Sequence, residues 1–524
     1  MRKILVFLMM IFLLISLGNS AVPKRGGTLV FGRGGDSVKL DPINVTDGES
    51  LRVTHQIFDT LVKYKPNNTE VVPNLATSWT VSKDGKVWTF RLRKNVKFHD
   101  GTDFDAEAVK FNFDRWMDEK NPYHVGGEFE YWGYMFGGFP GVVKSVTVVD
   151  KYTIRFTLER PLAPFLSNLA MPCFAIASPT AIKKYGEDFF KNPVGTGAFK
   201  FVSWTKGDKI VLEANKNYWD GAPYLDRIIF RSIPDNSARF MELEAGTIDI
   251  MDGVNPEDVE KARQNPNLQV ILRPSLNVGY LAMNMDKKPF DDVRVRLAIN
   301  YAINKKTLVE AFFGKGLAMV AKNPIPPSLW GYNDKIEDYP YDPAKAKELL
   351  KEAGYPNGFK TTLWAMPVPR PYNPQPRKLA EAVQGYLKAV GIDAEIVTFD
   401  WGTYLQKTEN GEHDMAFLGW TGDNGDPDNF FYVLLDKDNA VKGSAGNIAF
   451  YRSDELHEIL VKAQTITDKK ERTKLYEKAC EIVHRDAPWV IIAHTTPPVV
   501  AKKTVHNYIP HPTGSEPLYK VWKE

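Results

Sequence analysis

LATSWTVSKDGKVWTFRLRKNVKFHDGTDFDAEAVKF (residues 75–111) reads as strand, tight turn, strand and helix in succession. Side chains alternate in character over 78–81 and again over 87–92, and Ser82-Lys83-Asp84-Gly85-Lys86 between them carries the Asp-Gly pair that closes hairpins. The spacing then changes to that of a helix over 105–116, with Asp105 and Glu107 placed to favour its N-terminal dipole. A second hairpin is expected from 145–149 and 153–158 around Asp150-Lys151-Tyr152.

Outward from this unit the chain stays mixed. Toward the N-terminus a strand is expected over 27–33, a turn over 34–37, a helix over 51–64 and a turn-like region over 69–73. Toward the C-terminus, a glycine-rich segment at 193–199 leads into strands at 199–204 and 209–214. A helix over 237–245, with Asn236 as candidate N-cap, precedes a short strand at 248–251 and an extended apolar stretch at 275–284. Helices over 291–302, 343–353 and 377–390 then alternate with strands over 361–365, 393–398 and 415–419, an α/β pattern. No internal repeat and no low-complexity linker interrupts the chain. Domain boundaries therefore fall within ordered hinges, and the chain is expected to cross between lobes more than once.

The first residues indicate export. Arg2 and Lys3 precede an apolar run over 4–17, and Gly18-Asn19-Ser20-Ala21 suits cleavage after Ser20. This is the pattern of a secretory signal peptide, and the run is shorter than the roughly 20 apolar residues of a membrane span. No cysteine stands at its exit for lipid attachment, so a soluble periplasmic protein is expected. The chain carries 67 basic against 64 acidic residues, and residues 1–20 contain two of the basic and none of the acidic ones. That balance offers no case for a nucleic-acid partner, which would need a basic face. Cys173 and Cys480 are the two cysteines; burial as small hydrophobes is the preferred reading, with pairing left open.

The 75–111 stretch resembles the signature of the peptide and nickel branch (family 5) of the ABC-importer solute-binding proteins. NPVGTGAF (192–199), Tyr218-Trp219, LNVGY (276–280) and DDVRVRLAINYAIN (291–304) are similar to the same family. MPVPRPYNP (366–374) and GWTGDNGDPDNFF (419–431) resemble its dipeptide-binding subgroup. The resemblance implies a two-lobe periplasmic-binding-protein fold (α/β, class II type, cluster C) with an extra domain beside lobe I. Lobe I would comprise 21–58, 195–274 and 494–524, the extra domain 59–194, and lobe II 275–493. It also implies a monomer that closes by a hinge on a short peptide and docks on an ABC permease with its ATPase subunits. No cofactor, metal or nucleic acid is expected.

A zwitterionic dipeptide needs its ammonium, its carboxylate and one peptide bond satisfied in an enclosed pocket. Read alone, Asp423 is an ordinary turn aspartate and Arg370 an ordinary surface cation. The resemblance assigns Asp423 to the peptide ammonium and Arg370, stiffened by Pro369 and Pro371, to the carboxylate. A fixed arginine here argues for dipeptides over longer peptides. Trp420, Trp401 and Tyr372 are candidate pocket walls or core residues; Gly422 and Asn277 are candidate backbone donors or acceptors. Gly34 and Ser37 are candidates on the opposite wall, in a loop that departs from the dipeptide-binding pattern and looks like other branches of the family.

A calcium loop at Asp423, Asp426 and Asp428 fails on register. His484-Arg485-Asp486 lacks every other kinase element and reads as a helix end, and His99-Asp100-Gly101 as a turn. No nucleophile elbow, phosphate loop or zinc motif is present, so the protein is read as a binder rather than an enzyme. A secreted peptidase and a chaperone-like peptide binder remain alternatives. Oligopeptide, glutathione, haem and oligosaccharide remain alternative ligands within the family.

Overall fold

The computed structural model describes residues 22–524, so the expected signal peptide lies outside the described residues. Two large mixed sheets dominate. The first has seven strands in the order Leu268–Leu272, Pro498–Lys502, Ile250–Met251, Thr28–Arg33, Arg227–Ser232, Lys209–Ala214 and Phe199–Thr205. The second has six, in the order Ala318–Val320, Trp489–Thr495, Asn277–Met283, Met415–Thr421, Phe359–Trp364 and Ile392–Val397. The chain passes between these sheets at 273–276 and again at 496–497. The two crossings touch, because the Arg273 N–H donates to the Pro497 carbonyl at 2.9 Å. Such paired crossings form a natural hinge.

The hairpin of residues 75–111 forms as expected, with Val81 opposite Trp88 and Gly85 at φ +70° in the turn. Val87–Leu92 also pairs with Thr153–Leu158, so the two expected hairpins fuse into one four-stranded sheet. The helix Ala106–Met117 packs beside it, capped by the Asp105 carboxylate on the Ala108 N–H at 3.1 Å.

Three local expectations are corrected. The helix expected over 51–64 runs instead over Gly48–Ile57, started by Asp47, which caps Ser50 N. It ends there because the glycine-rich loop crosses its last turn. Gly197 N donates to Ile57 O at 2.9 Å, and a Cβ on Gly195 would lie 2.3 Å from that same oxygen. The turn-like 69–73 contains a short strand, Val71–Pro73, paired with Val62–Tyr64. The cap of the helix Asn236–Ala245 is Asp235, not Asn236. Asp235 accepts from Ala238 N at 2.7 Å, while the Asn236 side chain turns inward onto Arg239 and Asn255.

Cys173 and Cys480 are both buried and unpaired, as the burial reading expected. No helix among the described residues is long and apolar enough to cross a membrane.

Candidate functional site

The second sheet brings three loops to one edge. Phe359–Trp364 runs parallel to both Ile392–Val397 and Met415–Thr421. Their C-terminal ends therefore point the same way, as do the loops after them: 366–375, 398–400 and 422–427. Ligand sites of α/β sheets lie in the crevice outside such strand ends. Arg370, Trp401 and Asp423 are carried by these loops or stand at the start of the helix that follows one.

Two glycines of the sheet allow the 366–375 loop to lie on it. A Cβ on Gly279 would sit 2.5 Å from the Tyr372 carbonyl oxygen, and one on Gly419 would sit 2.3 Å from the Tyr372 ring. The motifs at 276–280, 366–374 and 419–431 thus meet around Tyr372, which is buried. Thr495 Oγ1 adds a bond to Pro371 O at 2.8 Å.

Arg370 closes a tight turn with Asn373 through two reciprocal backbone bonds of 2.9 Å. Its guanidinium stacks over the Trp401 ring, 4.3 Å from the centroid, and Trp401 stacks in turn on Tyr404. Stacking orients the guanidinium while leaving its N–H fork free to bind an anion. No carboxylate among the described residues pairs with it.

Asp423 is held from two directions. Tyr131 OH donates to its Oδ1 at 2.7 Å, and Asn429 Nδ2 donates to its Oδ2 at 3.0 Å. Asn429 Oδ1 accepts from the Asp423 N–H at 2.8 Å and from Trp420 Nε1 at 3.0 Å. Burial pushes the carboxyl up to about 6, against the downward pull of the Tyr131 and Asn429 hydrogen bonds. No cation among the described residues pairs with it. The neighbouring acids of the loop are already engaged. Asp426 makes a buried two-point ion pair with Arg472 at 2.7 Å, and Asp428 accepts from Gln464 at 3.1 and 3.2 Å. This agrees with rejecting a calcium loop.

The other expected site residues are more inward-looking. Gly422 N–H donates to Leu276 O at 2.7 Å, and a Cβ there would meet the Phe430 ring at 2.7 Å. The Asn277 side chain bonds the Thr495 backbone in both directions at 2.9 Å, and its carbonyl takes His494 Nδ1 at 2.7 Å. Ser37 Oγ accepts from Arg33 at 2.9 Å and donates to Glu49 O at 3.3 Å. Gly34 lies against the Arg239 guanidinium, where a Cβ would be 3.6 Å from Nη2. The polar groups of Ser37 and Asn277 are thus spent on their own neighbours, whereas Asp423 and Arg370 present charges without counter-charges among the described residues.

Sequence reasoning missed Tyr131 and Asn429. Tyr131 belongs to an aromatic helix, Glu130–Phe136, far from Asp423 along the chain, and nothing in its spacing distinguishes it from core. The helix and its neighbours dock directly on the Asp423 loop. Asn424 Nδ2 donates to Asn168 Oδ1 at 2.9 Å, and the Arg160 guanidinium donates to Gln464 Oε1 at 2.9 Å. His484-Arg485-Asp486 is the end of the helix Lys469–Asp486, and His99 is fixed by its bond to Gly197 O, as expected of a helix end and a turn. Away from the cleft, Asp436, Asp438 and His457 place ligand-type atoms within 4.8 Å of one another. They already satisfy each other, with His457 Nδ1 at 3.1 Å from both Asp436 oxygens and Tyr432 OH on Asp438.

Comparison with known proteins agrees with this architecture. The model of the bacterial extracellular solute-binding proteins, family 5 (middle region), matches residues 70–442. The dipeptide-binding protein of Escherichia coli K12 is 41% identical, over 96% of this chain and 95% of its own. Among solved structures, the chain superposes on the ABC transporter-associated periplasmic binding protein DppA of Helicobacter pylori, in complex with the peptide STSA. The TM-score is 0.89 at 42% identity, covering 96% of this chain and 99% of the other. It also matches the dipeptide binding protein of Pseudoalteromonas sp. SM9913 in complex with Met-Leu, with TM-score 0.90 and 31% identity over 95% and 100% of the two chains.

Proposed function

The chain belongs to the family 5 bacterial extracellular solute-binding proteins, and from that premise we propose that it captures a short peptide by its two charged ends for an ABC importer. Asp423 takes the ammonium and Arg370 the carboxylate. Trp420, Tyr372 and Trp401 wall the space between them. Tyr131 holds the Asp423 carboxylate from the opposite side. The observation that carries this reading is the pair of uncompensated charges on loops that leave one sheet edge together. A half-buried carboxylate and a stacked guanidinium each lack a counter-ion that only a ligand with both charges provides at once.

Relatives whose names or structures speak of peptides support the ligand class: a dipeptide for one, Met-Leu for another, the tetrapeptide STSA for a third. Dipeptides are the preferred ligand here, because Arg370 fixes the distance from Asp423. The proposed division follows the sequence reading, with lobe I as 21–58, 195–274 and 494–524, the extra domain as 59–194 and lobe II as 275–493. Closure turns on the two crossings at 273–276 and 496–497, and the closed monomer docks on the permease, whose ATPase subunits drive release. Members of the family are solute-binding transport proteins outside the cytoplasm; for this chain we read residues 1–20 as the export signal to the periplasm and assign no catalysis.

Calorimetry with Ala-Ala, its N-acetyl form, its C-terminal amide and Ala-Ala-Ala tests the reading. Ala-Ala is expected to bind at least about tenfold tighter than either blocked form. Equal affinity for all four would remove end recognition from the account.

A further inference from the structure

The extra domain, 59–194, is rooted in lobe I. Buried Asp59 accepts from Thr196 Oγ1 at 2.9 Å, and from Tyr218 OH and Trp219 Nε1 at 3.0 Å each. The two therefore move as one body when the crossings at 273–276 and 496–497 bend. Among the described residues, lobe I itself hydrogen-bonds lobe II only through residues 494–496, at the second crossing. The remaining hydrogen bonds between the two bodies all come from the extra domain.

Gln464, in the last turn of the helix Asp454–Thr465, joins the bodies at one such contact. Its carbonyl accepts from the Ala163 N–H at 2.6 Å, and its Oε1 from Arg160 Nη2 at 2.9 Å. Its Nε2 donates to both Asp428 oxygens, at 3.1 and 3.2 Å. A guanidinium only donates and a carboxylate accepts, so the amide has one orientation: oxygen toward the extra domain, nitrogen toward lobe II. Asp428 opens the helix Asp428–Leu435, and its neighbour Asn429 is the residue that holds Asp423. One side chain thus ties the extra domain to the segment behind the ammonium partner. At 3% exposure Gln464 offers a ligand almost no surface. None of these groups belongs to a crossing, and bending at the crossings parts contacts that lie off them. We propose that Gln464 is a positioning residue that latches the extra domain onto lobe II in the closed form and so sets how long a peptide stays bound. The proposal rests on the reading of peptide capture by hinge closure and concerns the regulation of that site.

Stopped-flow binding of Ala-Leu and Ala-Phe to the full protein tests it. Arg160→Met keeps the aliphatic stem and removes the donor to Gln464. Dissociation is expected to quicken about tenfold for both peptides, for the loss of one charge-assisted hydrogen bond, while association changes by less than about twofold. Arg160→Lys, with a charged donor but no planar fork, is expected to fall between that variant and the unmodified protein. Gln464→Met removes both ends of the amide and should quicken dissociation at least as much. A dissociation rate unchanged in folded Arg160→Met overturns the latch. So does a loss carried by the association rate, or one that differs between the two peptides, and peptide capture then stands. Failure of both peptides to bind the unmodified protein overturns that reading and the latch with it.

Discussion

Replacing Asp423 by asparagine separates the two roles that a half-buried, uncompensated carboxylate plays. Asparagine keeps the shape, and with its carbonyl accepting from Asn429 Nδ2 and its amide donating to the Tyr131 hydroxyl oxygen both contacts are kept, so the loop geometry should persist. What is lost is the charge that meets the ligand ammonium in a desolvated site. Truncating one member of such a pair costs about 2–5 kcal/mol, or about 30-fold to several thousand-fold in Kd. Without ligand the sign reverses. Burial holds the Asp423 carboxyl at about 6, above the usual carboxylate range, so the native state binds its proton more tightly than the unfolded chain. Its ionised form is therefore a cost to the ligand-free protein above about pH 6, relieved as pH falls toward 4. Allowing for partial exposure, ligand-free Asp423→Asn should gain about 1–2 kcal/mol at pH 7.5. The same ionisation makes peptide affinity fall about tenfold between pH 7 and pH 5, because only the ionised carboxylate pairs with ammonium. The variant should lose that pH dependence. Calorimetry at both pH values and thermal unfolding without ligand read all three effects. A variant that binds dipeptide as tightly as the original, or that retains the pH dependence, would refute the reasoning.

Three further outcomes follow from the geometry. Arg370→Lys keeps the charge but loses the planar fork stacked on Trp401, so free dipeptide should bind at least about tenfold more weakly while C-terminal amides change little; calorimetry with both ligands decides. Gly279→Ala puts a methyl group 2.5 Å from the Tyr372 carbonyl, backbone against backbone, and should cost about 1–3 kcal/mol in chemical denaturation; an unchanged midpoint would contradict that packing. Arg472→Ala leaves buried Asp426 unpaired beside Asp428 and should destabilise by about 3–5 kcal/mol. If the unfolding midpoint of that variant hardly moves, the pair is not holding the 422–427 loop.

The α/β character and most elements were legible because hydrophobic period and turn chemistry agree with tertiary structure at residues 75–111 and along 343–421. Misplaced boundaries share one cause. The helix expected to reach Tyr64 stops at Ile57 because the backbone of a distant loop at 195–197 crosses it, and local spacing carries no trace of that contact. Asp235 and Asn236 are chemically equivalent as caps until Arg239 claims the second of them. In the site, Asp423 and Arg370 became visible through family motifs, not through their own surroundings in the chain. Tyr131 was invisible for a different reason. It meets Asp423 across a fold-level juxtaposition of segments hundreds of residues apart, and one aromatic residue in an aromatic helix carries no local mark of that.

The central claim is that two charged loops on one sheet edge hold the two ends of one peptide. A crystal structure with Ala-Leu tests this most directly. The account predicts the ligand ammonium within hydrogen-bond distance, about 3 Å, of the Asp423 carboxylate, and both terminal carboxylate oxygens on the Arg370 guanidinium. A peptide lying in the opposite direction, or with its carboxylate away from Arg370, would contradict it.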